Sequence, residues 1–244
     1  MPACNICGDR GIYIAAGAAH TCRCAQELAL SHRLKAAQLT QSLRRQTFDR
    51  FGLHYYSSEQ ADGGRTYRET AQIALRAART FVEKAKAGPA ADGLLFTGRV
   101  GTGKTFLACC IANALLDAHV QVLFLVVPDY LDRIRSTYDL ERPGYTELEL
   151  TEAAKWVPVL VLDDLGAHHY TEWGRQKLYS LVNHRLNHQL PVVVTTNVSL
   201  EDLEEYLGER TTSRLFQLCR PYRLLTDVDI RISRRLNPEE AAGR

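Results

Sequence analysis

The sequence predicts an α/β fold in which a central parallel sheet is flanked by helices, preceded by a small cysteine-built module. Three observations predict it. Apolar runs at 93–97, 122–126, 157–162 and 191–196 are separated by helix-length segments, and runs of this kind are strands buried on both faces of a parallel sheet. A glycine-rich turn follows the first run and opens a helix from about Lys104 to Ala118. Four of the seven cysteines fall within the first 24 residues, well apart from the rest.

The composition sets outer limits on this reading. With 244 residues, 45% hydrophobic and 24% charged, the chain can bury the core of one α/β domain and carry a smaller appendage. Disordered, collagen-like and small cystine-framework classes are excluded. The formal charge is only +2, from 30 Lys and Arg against 28 Asp and Glu. The stretch Met1-Pro2-Ala3-Cys4 lacks a basic region followed by an apolar one, and no 18-residue uncharged apolar run appears. A cytosolic protein with no membrane partner is expected.

Cys4, Cys7, Cys22 and Cys24 suit tetrahedral zinc, because four thiolates fill a closed structural site and a Cys-x-x-Cys turn sets two sulfurs on one side of the ion. The segment from Gly11 to Ile14 and that from His20 to Cys22 read as a β-ribbon returning the chain, so that the second pair can close the site. His20 is an alternative ligand. A zinc module over residues 1–28 is expected, as a zinc ribbon or knuckle with a structural role. Cys109, Cys110 and Cys219 lie in apolar surroundings and read as core.

Residues 25–46 contain Ala, Leu, Gln and Arg without Gly or Pro, which favours a helix, and 29–46 read as a helical linker to the main domain at 47–244. The first 50 residues carry Arg10, Arg23, Arg33, Lys35, Arg44, Arg45 and Arg50 against Asp9, Glu27 and Asp49. That basic surplus suits a solvated face, a phosphate backbone or an acidic partner. A second amphipathic helix spans Thr70 to Lys86, with Ile73, Ala77, Phe81 and Val82 near helical spacing, and ends at Gly88-Pro89.

Gly98-Arg99-Val100-Gly101-Thr102-Gly103-Lys104-Thr105 matches G-x-x-x-x-G-K-[ST] between a strand and a helix. In that context the glycines let backbone N–H groups converge on phosphate, Lys104 faces the β and γ phosphates, and the Thr105 hydroxyl is offered to Mg²⁺. Thr102 and Phe106 join Gly98, Gly101 and Gly103 as nucleotide contacts. About 60 residues later, Val159-Leu160-Val161-Leu162-Asp163-Asp164 places two carboxylates at the end of a buried strand facing the same crevice. Asp163 is expected to hold Mg²⁺ and Asp164 to polarise the attacking water. Thr195-Thr196-Asn197 ends the next strand, where the amide of Asn197 either orients that water or caps the helix that follows. Arg210 and Arg214 lie four apart on one helical face, where an arginine can reach a neighbouring subunit's γ-phosphate.

Together, the glycine loop, Leu162-Asp163-Asp164-Leu165-Gly166, Thr195-Thr196-Asn197 and Leu207-Gly208-Glu209-Arg210 resemble the AAA+ P-loop helicase loaders of the DnaC and DnaI type, a group that includes the IstB transposition helpers. The resemblance covers about residues 47 to 235. Thr47-Phe48-Asp49-Arg50-Phe51 is similar to the family's aromatic motif ahead of the ATPase core, and Asp227-Val228-Asp229-Ile230-Arg231 is similar to its terminal strand. The resemblance implies that Asn197 is sensor 1, Arg214 the arginine finger acting in trans with Arg210 as second candidate, and Arg231 the sensor 2 arginine. Most relatives carry Glu where this chain has Asp164, which implies slow ATP hydrolysis.

The resemblance also implies partners: a replicative hexameric DNA helicase, single-stranded DNA, and other copies of the chain joined through the ATP interface. Asp129 to Tyr138 occupies the insertion where relatives contact DNA. Its arginines and tyrosines can grip phosphate and stack on bases; equally, the segment reads as an amphipathic helix with Leu131 and Ile134 packed inward. His168 and His169 stand where many relatives have an acid, and no catalytic role is given to them. A helicase loader is the first functional reading, a transposition helper assembling on duplex DNA the second, and a zinc-dependent adaptor with structural nucleotide the third.

Overall fold

The computed structural model describes residues 6–7, 12–15, 18–21, 41–88, 92–138 and 146–236, and the chain divides into two compact units, 1–38 and 39–244. In the first unit the expected ribbon is present. Strands β1 (Ile12–Ala15) and β2 (Ala18–Thr21) pair antiparallel, with Ile12 opposite Thr21. The rings of Tyr13 and His20 stack across the ribbon at 5.5 Å. Cys7 is buried. Cys4, Cys22 and Cys24 lie outside the described residues, as does the expected helix up to residue 40. Among the described residues no cluster of three or more metal-ligating side chains occurs.

The second unit begins with helix α1 (Gln41–Arg44) and a pair of single 3₁₀ turns, Phe48–Arg50 and Leu53–Tyr55. A short hairpin, β3 (Ala61–Asp62) with β4 (Arg65–Thr66), turns at Gly63 and Gly64. Helix α2 (Tyr67–Ala87) starts three residues earlier than the apolar spacing implies. Its start is set by a capping box: Thr66 accepts from the Glu69 N–H, and Glu69 accepts from the Thr66 N–H at 2.7 Å.

Five parallel strands form the sheet, in the order β6 (Val122–Val126), β7 (Val159–Leu165), β8 (Val192–Thr196), β5 (Gly93–Thr97), β9 (Cys219–Arg223). Residues of β5 and β8 are buried throughout, as runs covered on both faces must be. Helix α3 (Lys104–Asp117) buries Leu107, Cys109, Cys110, Ile111 and Leu115, and Cys219 is buried in β9, so all three of these cysteines are core. The remaining helices are α4 (Val127–Ser136), α5 (Glu147–Trp156), α6 (Glu172–Asn187), α7 (Leu203–Leu207), α8 (Glu209–Leu218) and α9 (Ile230–Leu236). Among the described residues, no helix is long and apolar enough to cross a membrane.

Two expectations are corrected. The terminal strand is not Asp227–Arg231 but β9, which pairs parallel with β5. Strand β9 is a half-exposed edge whose Pro221 offers no N–H to a ladder, so its sequence does not read as a buried run. The alternation of Asp227 to Arg231 instead leads into α9, where Asp229 Oδ1 accepts from the N–H groups of Arg231 (2.8 Å) and Ile232 (3.4 Å) and so caps the helix. In the insertion, Tyr130 is buried with Leu131 and Ile134 on the inner face of α4, so Tyr130 is withdrawn from any base-stacking role. Tyr138 stays exposed and accepts from Trp173 Nε1 at 3.2 Å, while the Arg135 guanidinium lies 5.4 Å above the Trp173 ring.

One buried cation organises the end of the sheet opposite the glycine loop. Arg185, on α6, is fully buried and donates to the carbonyls of Ala154 (2.9 Å), Lys155 (3.1 Å), Val157 (2.9 Å), Pro158 (3.3 Å) and Pro191 (2.8 Å). These bonds satisfy the last carbonyls of α5 and tie together the segments entering β7 and β8. Burial lowers its pKa to about 9, which leaves it cationic at neutral pH. Arg185→Met strands several buried carbonyls, so a loss of ~3 kcal/mol or more is expected, read as a lower urea midpoint at unchanged slope.

Candidate nucleotide site

The site lies at the C-terminal end of the sheet, where β5 runs into the glycine loop and the loop into α3. Here Gly101 has φ 78° and Gly103 φ 91°, conformations that L side chains avoid. Close approach adds a second reason for glycine. A Cβ on Gly103 would meet Tyr56 Oη at 2.8 Å, and one on Gly101 would overlap the Asp229 carboxyl group. The loop is braced from behind by Tyr56, whose buried hydroxyl donates to the Thr102 carbonyl at 2.8 Å. The Tyr56 ring stacks on Phe51 at 5.7 Å, and Phe51 in turn lies 6.1 Å from Phe106.

Lys104 turns its ammonium group back over the loop, donating to the carbonyls of Gly98 (2.8 Å) and Arg99 (2.7 Å). Burial lowers its pKa to about 8, with Asp164 pulling upward, Arg231 pushing further down and Asp163 pulling upward. Facing it, Asp163 accepts from Thr195 Oγ1 at 2.6 Å and from Thr105 Oγ1 at 3.0 Å. Burial raises the Asp163 pKa, the Thr195 bond lowers it, and the neighbouring Asp164 charge raises it. Asp164 itself holds a left-handed conformation at φ 57° and accepts from Asn197 Nδ2 at 3.4 Å. A non-glycine residue in that region is a recurrent feature of functional sites.

A cavity of about 430 Å³ joins these groups. It is lined by Gly101, Thr102, Gly103, Lys104, Thr105, Phe106, Asp164, Asn197 and Arg231, all expected from the sequence, and also by Leu43, Gln46, Val100, Ile230 and Arg234. Gly98 and Asp163 adjoin it through their bonds to Lys104 and Thr105. Arg210 and Arg214 are not part of it. Both line a separate concavity on α8 with Tyr179, Glu209, Ser213 and Gln217. His169 stacks on Tyr206 at 4.4 Å, and His168 meets the edge of Tyr170 at 5.0 Å.

Several residues that hold the site escape a sequence reading. Asn113 of α3 donates to the carbonyls of Leu43 (2.9 Å) and Gln46 (2.8 Å), fixing the segment before the core against the nucleotide cavity. Arg234 donates to the Arg50 carbonyl at 2.9 Å and lies 4.8 Å above the Phe106 ring, joining α9 to the aromatic motif. The Ile230 N–H donates to the Gly101 carbonyl at 3.0 Å. No local pattern signals these contacts, because each joins segments far apart in sequence.

A sequence profile of the IstB-like ATP binding protein family matches residues 27–217. The chain belongs to that family. It is 31% identical over 145 residues to the replicative helicase loader DnaI of Bacillus subtilis (strain 168), covering 54% of this chain but 45% of that relative. Against the replicative helicase loader DnaC of Escherichia coli (strain K12) it is 29% identical over 170 residues, covering 69% and 68%. The crystal structure of DnaI superposes with a TM-score of 0.59 at 25% identity, over 79% of this chain and 94% of that one. This IstB-like protein therefore has the α/β P-loop AAA+ fold and is an ATP-binding family member. Its sequence spans less than half the length of the DnaI relative.

Packing of Asp229 against Gly101 makes the loop and α9 one mechanical unit. Gly101→Ala adds ~1–2 kcal/mol of left-handed strain and displaces the cap. Faster amide exchange is expected over 226–236, with sheet amides unchanged.

Proposed function

We propose that this IstB-like protein is an ATPase of the helicase-loader type, binding ATP with magnesium and coupling the nucleotide state to assembly with a replicative helicase and single-stranded DNA. The carrying observation is the convergence of Lys104, Thr105, Asp164, Asn197 and Arg231 on one cavity, with Asp163 bonded to Thr105 at its edge. The donor set fits a triphosphate: a cation over a glycine loop whose N–H groups open a helix. Gln46 adds a buried Oε1 without a partner among the described residues, an acceptor suited to an exocyclic amine.

In this reading Lys104 exchanges its loop carbonyls for phosphate oxygens, and Thr105 and Asp163 hold the magnesium ion. Magnesium supplies neutralisation of the triphosphate charge when bound. Asp164 and Asn197, in contact with one another, orient the attacking water, with Asp164 accepting its proton. The shorter Asp164 side chain keeps turnover slow. Arg231 contacts nucleotide from within the subunit. Arg214, or Arg210 beside it, serves a neighbouring copy, which agrees with their separation from the chain's own cavity.

The loader role is supported by two relatives named as replicative helicase loaders. Zinc on Cys4, Cys7, Cys22 and Cys24 would close a module at residues 1–28, with 29–46 linking it to the ATPase at 47–244. Its support is the four-thiol donor set together with the ribbon, which sets residues 12 and 21 side by side.

The test is capture of the cognate replicative helicase, with and without ATP, by wild-type protein and by Lys104→Ala. Loss of the ammonium is expected to weaken ATP binding by ~10–100-fold and to abolish the ATP-dependent complex. Failure to bind the helicase in either condition, alongside ATP-dependent filaments on duplex DNA, favours the transposition helper. An unchanged complex with Lys104→Ala favours the adaptor.

A further inference from the structure

Strand β7 carries a bulge that gives Thr195 two residues to serve. Leu162 pairs with Val194 and Leu165 with Thr196, so β7 spends one more residue than β8 over the same span. Asp163 and Asp164 therefore stand together opposite Thr195, the two-against-one arrangement of a bulge. The Thr195 hydroxyl is fully buried and uses both of its hydrogen-bonding functions. It donates to Asp163 Oδ1 at 2.6 Å and accepts from the Asp164 N–H at 3.0 Å.

We infer that Thr195 is a positioning residue for ATP hydrolysis, its one hydroxyl orienting the carboxylate of Asp163 while holding the backbone that aims Asp164. This inference rests on the ATPase reading and assigns a task that the motif residues do not cover. Asp163 has two hydroxyl donors, Thr105 and Thr195, on the same oxygen. Thr105 would be the one to hold magnesium, which would leave Thr195, of these two donors, to fix the carboxylate plane. For Asp164, the N–H bond to Thr195 is one of several that lock the turn. The Ala167 N–H donates to the Asp164 carbonyl at 3.2 Å, and the Gly166 N–H donates to Tyr170 Oη at 2.7 Å. A residue at φ 57° is held by such bonds rather than by its own preference. Asn197 lies two residues beyond Thr195 on the same chain segment and touches the Asp164 carboxylate. One strand thus sets both acids and the amide beside them, and a shift of β8 moves all three together.

The experiment compares Thr195→Val, which keeps the shape and removes the hydroxyl, with Thr195→Ser, which keeps the hydroxyl. Two quantities are read on folded protein, verified by melting: ATP turnover, and the magnesium concentration that gives half-maximal strengthening of fluorescent ATP binding. Loss of a group that orients a metal ligand typically costs ~10–100-fold. The valine variant is expected to lose kcat by that factor and to need more magnesium, with KM for ATP at saturating magnesium within about twofold of wild type. The serine variant restores both quantities. Valine behaving as wild type while wild type turns over ATP overturns the inference, and so does serine as impaired as valine. A wild-type chain without turnover ends the hydrolysis reading itself, and this inference with it.

Discussion

The structure depends on keeping opposite charges together at the buried floor of the site. Lys104 and Asp163 are each about 4% exposed, and burying an ion without partners costs several kcal/mol. Each is compensated by fixed dipoles rather than by a direct ion pair: carbonyls of the glycine loop for the cation, hydroxyls of Thr105 and Thr195 for the anion. Partners of this kind can be exchanged. A phosphate oxygen can take the place of a carbonyl, and a metal ion the place of a hydroxyl proton, without leaving a charge stranded. Such an arrangement is prepared for a ligand carrying both phosphate and a divalent cation, and it explains why the loop glycines and the acidic strand must end at the same edge of the sheet.

Around this centre, the rest of the second unit behaves as a frame. Tyr56 and Phe51 back the loop, Asn113 anchors the preceding segment, and Asp229, Ile230 and Arg234 bind α9 to the front of it. The nucleotide cavity is consequently lined by segments from both ends of the domain, residues 43 to 46 and 230 to 234. A ligand filling that cavity would be felt at both ends together. At the far end of the sheet, Arg185 performs the complementary task of fixing where β7 and β8 begin.

Much of this was legible in the sequence because the signals are local. Four buried strands announce themselves as apolar runs, the glycine loop as a spaced motif, and the acid pair as charges at the end of a run that has no other reason to carry them. The ribbon at residues 12–21 followed from glycine and cysteine spacing. Illegible elements share a different property, that their sense lies in distant partners. Strand β9 sets exposed Arg220 and Arg223 on either side of Pro221 and Tyr222 and pairs with the edge that β5 offers. The stretch around Asp229 looks like a strand until its carboxylate is seen capping α9. Tyr130 looked available to a base and is instead core. The hydroxyl of Thr195 gains its meaning from a one-residue bulge in a neighbouring strand, which no spacing rule within either strand reveals.

The most direct measurement is hydrogen–deuterium exchange of the full chain with and without ATP and magnesium. The account predicts slowed exchange in three separate stretches at once, the glycine loop at 98–105, the acidic strand end at 162–166 and the α9 segment at 229–234, with little change in the ribbon at 12–21. Unchanged exchange at the glycine loop in the presence of saturating ATP and magnesium would contradict it.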